Sequence, residues 1–390
     1  MPARHLALFA PCDRHNFGDL LFPHLVAALL PGESPRVVGL AKRNLLPWGG
    51  HRVTAVAGLE PPPSAVIHAG GEILDCGAWE AAVMLCEDAE AATAIRSYDA
   101  HPGAAAAWAA QRLGVVDQAP YVLGSGRWAA DLPRLFNAVG GSDLALRPPA
   151  FIAEVVAKLR GAAHVSVRDQ VTRDFLAGHD IPADLAPDPA VLLARLCGDR
   201  LDRHGNQGEV ATLRRRFPAG YLALQFSADC GDDATLATVS GQLHRLPAGL
   251  GIVLFRAGAA PWHDDAAVYA RLAARLGGRP WHLFASLDIW DIAALLANAR
   301  TYAGTSLHGR IVAAACAVPA VSLLSPGGSG KVAAYLATWH AEMPLLVNPA
   351  ELGASLGTAL AVPVERRQAE AAALADRYRA YFERLRGALP

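Results

Sequence analysis

The sequence has 390 residues, of which 53% are hydrophobic and 18% charged, so a disordered chain is excluded and two domains of ordinary size are expected. The formal net charge of −1 argues against a protein that neutralises many nucleic-acid phosphates. The six cysteines include no Cys-x-x-Cys pair, which excludes a zinc site of that spacing and indicates reduced thiols. No apolar stretch reaches the ~20 residues that span a bilayer. We therefore predict a soluble, cytoplasmic protein, with peripheral membrane contact left open.

Short, continuous apolar runs recur along the chain, and helical stretches separate them. Such runs are typical of strands buried on both faces, and their alternation with helices predicts parallel sheets. The strands predicted in the first half are residues 6–10, 36–41, 65–69, 120–123, 164–167 and 184–186. Those predicted in the second half are residues 221–226, 251–255, 282–285, 301–303 and 318–324.

A polar, charged segment at residues 198–220 separates the two sets of strands, and we interpret it as a linker with a short helix. The N-terminal domain is then residues 1–197 and the C-terminal domain residues 221–362. Residues 363–390 carry apolar side chains at helical spacing and predict an amphipathic helix. The predicted fold class is α/β, with two Rossmann-like, doubly wound domains facing across a cleft.

Ligands of open α/β sheets bind outside the carboxyl ends of the strands, so residues that follow the predicted strands are the candidates for a site. After the first strand, Asn16, Gly18 and Asp19 could meet an anion at a helix start, or Asp19 could be a helix N-cap. After the third strand, Gly70 and Gly71 either let the backbone approach a ligand closely or form an ordinary turn.

Two further candidates lie before the predicted linker. Arg168 follows the strand at residues 164–167, where its planar guanidinium could hold a carboxylate or phosphate, or could pair with an acid such as Asp174. Asp169 is suited to cap the next helix. Asp188 stands between two prolines, which predicts a rigid turn.

In the second half, Ser306, His308 and Arg310 follow the strand at residues 301–303 and precede an apolar helix. A His at a strand end can act as a general acid or base, although a structural role is an equal alternative. Arg310 adds positive charge close by in the sequence.

A Gly-rich segment with the sequence SPGGSGK occupies residues 325–331. It lacks the first Gly of a phosphate loop and the Ser or Thr that should follow Lys331, which excludes a nucleoside triphosphatase of that type. Gly328 and Lys331 remain candidates for an anion-binding nest, and a flexible loop is the alternative.

The order of these segments resembles the polysaccharide pyruvyl transferase family over roughly residues 14–335. The strongest pieces are HNFGD at residues 15–19, HVSVRD at 164–169, APDPAVLL at 186–193 and TSLHGRIVAAACAVPAV at 305–321. The resemblance implies a fold similar to the GT-B type. It also implies phosphoenolpyruvate as donor, a cyclic pyruvate ketal on two sugar hydroxyls as product, and release of phosphate.

The resemblance further implies which residues act. A His at the position of His308 is regarded as catalytic in the family, and we expect Arg168 to act with it on the donor. No cofactor and no metal is expected, and the partners are phosphoenolpyruvate and a saccharide or lipid-linked glycan acceptor. The residues expected to bind substrate are Asn16, Gly18, Asp19, Gly70, Gly71, Ser306, Arg310, Gly328 and Lys331.

The sequence departs from the family pattern at two places. Ser306 stands where some members carry a basic residue, and Leu20 where an acidic residue often stands, and both departures concern donor binding. One alternative is a GT-B glycosyltransferase that uses a sugar nucleotide, with Arg256 and residues 325–331 clamping its diphosphate. A second alternative is a binding protein without catalysis. The substitution His308→Ala would then leave its biological activity intact.

Overall fold

A computed structural model describes residues 5–125, 132–325 and 330–389. The chain divides into two compact units. Unit 1 comprises Met1–Pro189 together with Arg377–Pro390, and unit 2 comprises Ala190–Asp376. The boundary therefore lies before the predicted linker, because residues 198–220 largely form two helices of unit 2 instead of an extended connection.

The described part of unit 1 is built on an eight-stranded sheet with helices around it. Every strand pairing in it is parallel except that between β3 and β4. Its strands are β1 (Leu6–Phe9), β2 (Arg36–Gly39), β3 (Arg43–Asn44), β4 (Arg52–Ala55), β5 (Ala65–His68), β6 (Arg134–Val139), β7 (His164–Val167) and β8 (Asp184–Leu185). Its helices are α1 (Phe17–Ala28), α2 (Ala78–Met84), α3 (Asp88–Tyr98), α4 (Pro102–Leu113), α5 (Pro149–Arg160) and α6 (Gln170–Ala177).

The strand order in this sheet is β3-β4-β2-β1-β5-β6-β7-β8. The chain winds outward in one direction from β1 to β2 and in the other from β5 to β8, so the order reverses between β1 and β5. All four residues of β1 and of β5 are buried, because helices cover both faces of a parallel sheet. The predicted strand at residues 120–123 is wrong, since this segment is irregular and the strand lies at β6 instead.

Unit 2 contains a six-stranded, wholly parallel sheet in the described residues. Its strands are β9 (Tyr221–Gln225), β10 (Gly251–Leu254), β11 (Trp281–Leu283), β12 (Thr301–Gly304), β13 (Ala320–Leu323) and β14 (Leu346–Val347). Its helices are α7 (Leu193–Gly205), α8 (Gly208–Arg216), α9 (Asp233–His244), α10 (Ala266–Arg275), α11 (Ile289–Ala297), α12 (Leu307–Ala315), α13 (Gly330–Trp339) and α14 (Leu352–Ala361).

The strand order in unit 2 is β11-β10-β9-β12-β13-β14, so the winding direction reverses between β9 and β12. Buried Leu, Ile, Val and Ala side chains of β9, β10, β12 and β13 pack against α9, α10 and α14 to form its core. Both units thus show the predicted fold class, α/β with doubly wound parallel sheets.

One helix belongs to both units. The helix α15 (Val364–Gly387) begins in unit 2 and ends in unit 1. In unit 1, Tyr378 donates a hydrogen bond to Asn137 Oδ1 at 3.0 Å, and the Tyr381 hydroxyl pairs with Ser166 Oγ. None of the described helices has the length and apolar character needed to cross a membrane.

Candidate functional site

The carboxyl ends of β1 and β5 meet where the order of the first sheet reverses, which is the usual ligand-binding place in such sheets. Asn16 caps α1 here, since its side-chain oxygen accepts from the amides of Gly18 (3.1 Å) and Asp19 (3.4 Å). The cap is therefore Asn16, and Asp19 lies in the first turn of the helix.

Gly70 and Gly71 follow β5 with φ angles of +132° and +97°, which only glycine adopts easily. A Cβ on Gly70 would lie 3.0 Å from the ring of Phe22, and one on Gly71 would lie 3.4 Å from Asp19 Oδ1. The two glycines thus bring the β5 turn against the start of α1. The structure brings together five predicted site residues at this edge of unit 1, namely Asn16, Gly18, Asp19, Gly70 and Gly71.

A buried polar network next to α1 is not evident from the sequence. The Tyr121 hydroxyl donates to Asp13 Oδ1 and accepts from Arg14 Nη1, each at 2.8 Å, and Arg14 pairs with Asp19 at 3.6 Å. Asp13 also accepts from the amide of Leu40 at 2.6 Å. The network was not evident because Asp13 and Arg14 find their partner Tyr121 more than 100 residues later in the chain.

Arg168 has a different environment from the predicted one. It is 1% exposed and forms ion pairs with Asp188, at 2.9 Å, and with Glu72. Burial alone would lower the pKa of Arg168, but the carboxylates of Glu72 and Asp188 raise it above its ordinary value. The predicted partner Asp174 instead accepts from Gln170. The guanidinium therefore neutralises Asp188, which is fully buried, and Glu72, which is partly buried.

Asp169 caps α6 as predicted, since its carboxylate accepts from both the amide and the hydroxyl of Thr172 at 2.8 Å. This cap holds the start of α6 directly after Arg168. The turn at Asp188 follows β8, and the ion pair with Arg168 fixes it there. The carboxyl ends of β7 and β8 are thus joined by charge pairing.

The second candidate edge lies in unit 2, at the carboxyl ends of β9 and β12, where the order of that sheet reverses. Gln225 ends β9, and its side-chain oxygen accepts from the Ser306 amide at 2.9 Å. Ser306 in turn caps α12 by accepting from the Gly309 amide at 3.1 Å. These bonds fix the first turn of α12, which carries the half-buried His308.

Ser306 thus serves as a helix cap at the position where some family members have a cation. Lys331 lies in the first turn of α13, which follows β13, the neighbour of β12. Its side chain is exposed. The structure therefore places His308, Ser306 and Lys331 beyond the carboxyl ends of adjacent strands. Gly328 lies outside the described residues.

Arg310 does not join this group, which corrects the prediction. Its guanidinium donates to the carbonyl of Ala320, the first residue of β13. Because β12 and β13 are parallel, the amino end of β13 lies at the edge of the sheet opposite to the turn with His308. Arg310 and His308 are close in sequence, but the Arg310 guanidinium lies at the edge of the sheet opposite to His308.

Asp264 is a titratable residue at the same edge as His308 that the sequence did not reveal. It accepts hydrogen bonds from Gln225 Nε2 at 2.8 Å and from the Ala257 amide at 2.5 Å. Burial nevertheless raises its pKa to about 7, with these hydrogen bonds opposing the rise. Through Gln225, this carboxyl is linked to the turn before His308. It lies in a loop without a motif, so only the fold could identify it.

The pKa of Asp264 predicts a dependence of stability on pH. Because its pKa is raised on folding, its neutral form stabilises the fold at low pH, and this stabilisation is lost as pH rises through about 7. Asp264→Asn cannot ionise, so the variant should gain about 2–3 kcal/mol relative to the wild type as the pH is raised from 5 to 8. Denaturant unfolding at several pH values measures this difference. The exposed Asp199→Asn is the control, and a parallel pH dependence of wild type and Asp264→Asn would contradict the assignment.

The two edges have different chemical characters. The edge of unit 2 combines a His, a carboxyl that titrates near neutrality, an exposed Lys and the start of a helix, where free amides favour anions. This set can transfer protons and hold negative charge. The edge of unit 1 offers an amide cap, buried charges and glycine turns, which suit close contact with a polar ligand.

Solved structures of similar fold are known. A Neisseria meningitidis UDP-GlcNAc 2-epimerase bound to UDP-GlcNAc is 10% identical, with 97% of this chain and 98% of that chain covered and a TM-score of 0.53. The S. aureus MnaA–UDP complex is 12% identical, with 95% and 90% covered and a TM-score of 0.52. These likenesses show the fold alone, and they agree with the predicted two-domain α/β fold. No curated protein matches the chain.

The family comparison covers a large part of the chain. The model of the polysaccharide pyruvyl transferase family matches residues 127–325, which is just over half of the sequence. The matched segment includes Arg168, Asp188 and the turn with Ser306 and His308. This confirms the resemblance that the sequence motifs indicated. The chain therefore belongs to the polysaccharide pyruvyl transferase family of enzymes.

Proposed function

We propose that this protein transfers the pyruvyl group of phosphoenolpyruvate onto two hydroxyls of a saccharide, forming a pyruvate ketal and releasing phosphate. The observation that carries the proposal is the position of His308, in the family-matched segment, at the carboxyl edge of unit 2 where the strand order reverses. The acceptor is a glycan or glycan precursor, free or lipid-linked.

The proton balance of this reaction explains why a His is needed. The methylene carbon of phosphoenolpyruvate gains one proton and becomes a methyl group, which leaves an oxocarbenium-like carbon. One sugar hydroxyl adds to that carbon, the phosphate group leaves, and the second hydroxyl closes the ketal. Of the two hydroxyl protons, one replaces the proton given to the methylene carbon and the other leaves on phosphate. The imidazole of His308 can serve as general acid and general base for these transfers.

The charge of the donor explains the other residues at this edge. Phosphoenolpyruvate carries a carboxylate and a phosphate, which cations and free helix amides stabilise. We propose that Lys331 and the start of α12 at Ser306 bind the donor. Asp264 supplies a second proton-exchanging group, held in place through Gln225.

The residues of unit 1 have their own part in the proposal. We propose that Asn16, Gly18, Asp19, Gly70 and Gly71 bind substrate, because the close turns there bring backbone amides and carbonyls to the edge of the sheet. Arg168 has a supporting part, since its ion pairs with Glu72 and Asp188 fix the shape of that edge. It does not touch the donor in this scheme.

The test is release of phosphate from phosphoenolpyruvate by the full chain with a panel of acceptors. The panel contains free sugars, nucleotide sugars, lipid-linked glycans and polymers, and mass spectrometry checks each product for a ketal. Acceptor-dependent release with a ketal product supports the proposal. If no acceptor gives release and calorimetry shows no phosphoenolpyruvate binding, the donor assignment fails. Binding of a sugar nucleotide in the same experiment would then favour the glycosyltransferase alternative, with Arg256 beside Asp264 as a diphosphate ligand.

A further inference from the structure

Unit 2 contains a cavity away from the edge that carries His308. It offers about 60 Å³ of space for water-sized groups, where about 10–15 Å³ suffices for one water molecule. It lies at the amino ends of β13 and β14, between the end of α12 and helices α13, α14 and α15. Apolar side chains form most of its wall, including Ile311, Val318, Met343, Leu345 and Leu374.

Arg310 is the unusual member of this wall. Arg310 is 5% exposed, and its guanidinium donates to the carbonyl of Ala320. Arg310 Nε is buried and has no hydrogen-bond partner among the described residues. No carboxylate in the described parts of the chain lies within 4.0 Å of this guanidinium. Within the described residues, this buried cation therefore has no ion pair.

No other ionisable group in the described wall forms an ion pair with Arg310, and the charge of Glu370 offsets that of Arg310 only in part. Arg367 also lines the cavity, and two of its nitrogens donate hydrogen bonds to the carbonyls of Ala317 and Val362. Glu370 lines it too, but pairs with Arg366 at 3.3 Å. Burial lowers the pKa of His340 to about 4, so that ring is neutral at pH 7. With two Arg and one Glu, the wall carries a net positive charge.

An uncompensated buried guanidinium is costly, because burial removes water from a charge without giving it a partner. Burial lowers the pKa of Arg310 to about 10, which reflects the same cost. An anion in the cavity would remove that cost by accepting from the unpartnered Nε–H and from the second terminal nitrogen. The apolar wall would at the same time exclude a strongly hydrated ion such as free phosphate.

We propose that this cavity is a second binding site, for a small organic carboxylate with an apolar body, held by Arg310. The carboxylate accepts hydrogen bonds from the guanidinium, and the apolar body packs against the side chains of α12, α14 and α15. The site is separate from the proposed transfer site, since it lies at the opposite edge of the same sheet. It does not depend on the proposed pyruvyl transfer.

The test measures binding to the full chain by calorimetry and by the shift in melting temperature. The probes are benzoate, its neutral counterpart benzyl alcohol, and inorganic phosphate. Benzoate should bind the wild type and raise its melting temperature, while the other two bind more weakly. Arg310→Met should weaken benzoate binding by about 10- to 100-fold, because it removes charge-assisted hydrogen bonds but keeps the side-chain length.

Two further variants test whether binding depends on the space in the cavity and on the particular Arg that is removed. Ala314→Leu fills the cavity without touching the charge and should also abolish benzoate binding. Arg300→Met removes an exposed Arg of the same unit and should leave binding unchanged. The proposal is overturned if the wild type does not bind benzoate, if Arg310→Met binds it as tightly, or if phosphate or benzyl alcohol binds equally well.

Discussion

Replacing His308 with Gln should lower the rate of acceptor-dependent phosphate release by about 100- to 10,000-fold, the usual contribution of a general acid or base. Gln has a similar size and tolerates a helix well, so the first turn of α12 and its cap at Ser306 should persist. The rate is measured at saturating phosphoenolpyruvate, so that a loss reports on the transfer step instead of donor binding.

The matched control is His244→Gln, which changes an exposed His at the end of α9 in the same unit. This control should keep the wild-type rate, and both variants should melt within a few degrees of the wild type. A His308→Gln enzyme that transfers pyruvate at near the wild-type rate would remove His308 from the mechanism. The titrating carboxyl of Asp264 would then be the next proton carrier to replace.

Replacing Arg168 with Met should destabilise unit 1 by about 3–5 kcal/mol, which is the usual result of breaking a buried ion pair from one side. The change leaves the carboxylates of Glu72 and Asp188 close together, and Asp188 is fully buried. Chemical denaturation with a probe in unit 1 measures the loss. The control is Arg112→Met, which breaks an exposed pair with Glu90 in the same unit and should cost less than about 1 kcal/mol.

A second variant separates the structural part of Arg168 from donor binding. Combining Arg168→Met with Glu72→Gln and Asp188→Asn removes all three charges and should restore much of the stability. If the single variant is as stable as Arg112→Met but no longer uses phosphoenolpyruvate, Arg168 binds the donor, as the sequence first indicated. That outcome would contradict the assignment made from the ion pairs.

Two strands that the sequence predicted well are almost wholly apolar. Residues 6–10 and 65–69 correspond closely to β1 and β5, because parallel strands buried on both faces need continuous apolar runs. In contrast, β6 was missed because it contains Arg134 and Asn137. Burial of Asn137 is tolerated because its amide donates to the carbonyl of Ala69 and accepts from the hydroxyl of Tyr378. Tyr378 lies 241 residues later in the chain.

The candidate site was predictable to the extent that each residue follows its own strand. The motif around His308 indicated a helix start after a strand, and this is where the structure has it. What the sequence could not show is where a long side chain ends. Arg168 turns inward to Glu72, which is 96 residues away, and Arg310 reaches the start of β13. Partners from distant segments decide the role of such cations.

The division of α15 between the two units has a consequence for synthesis of the chain. The core of unit 1 includes Tyr378 and Tyr381, whose hydroxyls bond to the strands β6 and β7. The ribosome adds these residues only after the whole of unit 2, although domains commonly fold in the order of translation. Unit 2 can therefore fold first. The apolar strands of unit 1 stay exposed until the C-terminal part of α15 has been synthesised. That interval is when chaperones would matter most to the yield of this protein.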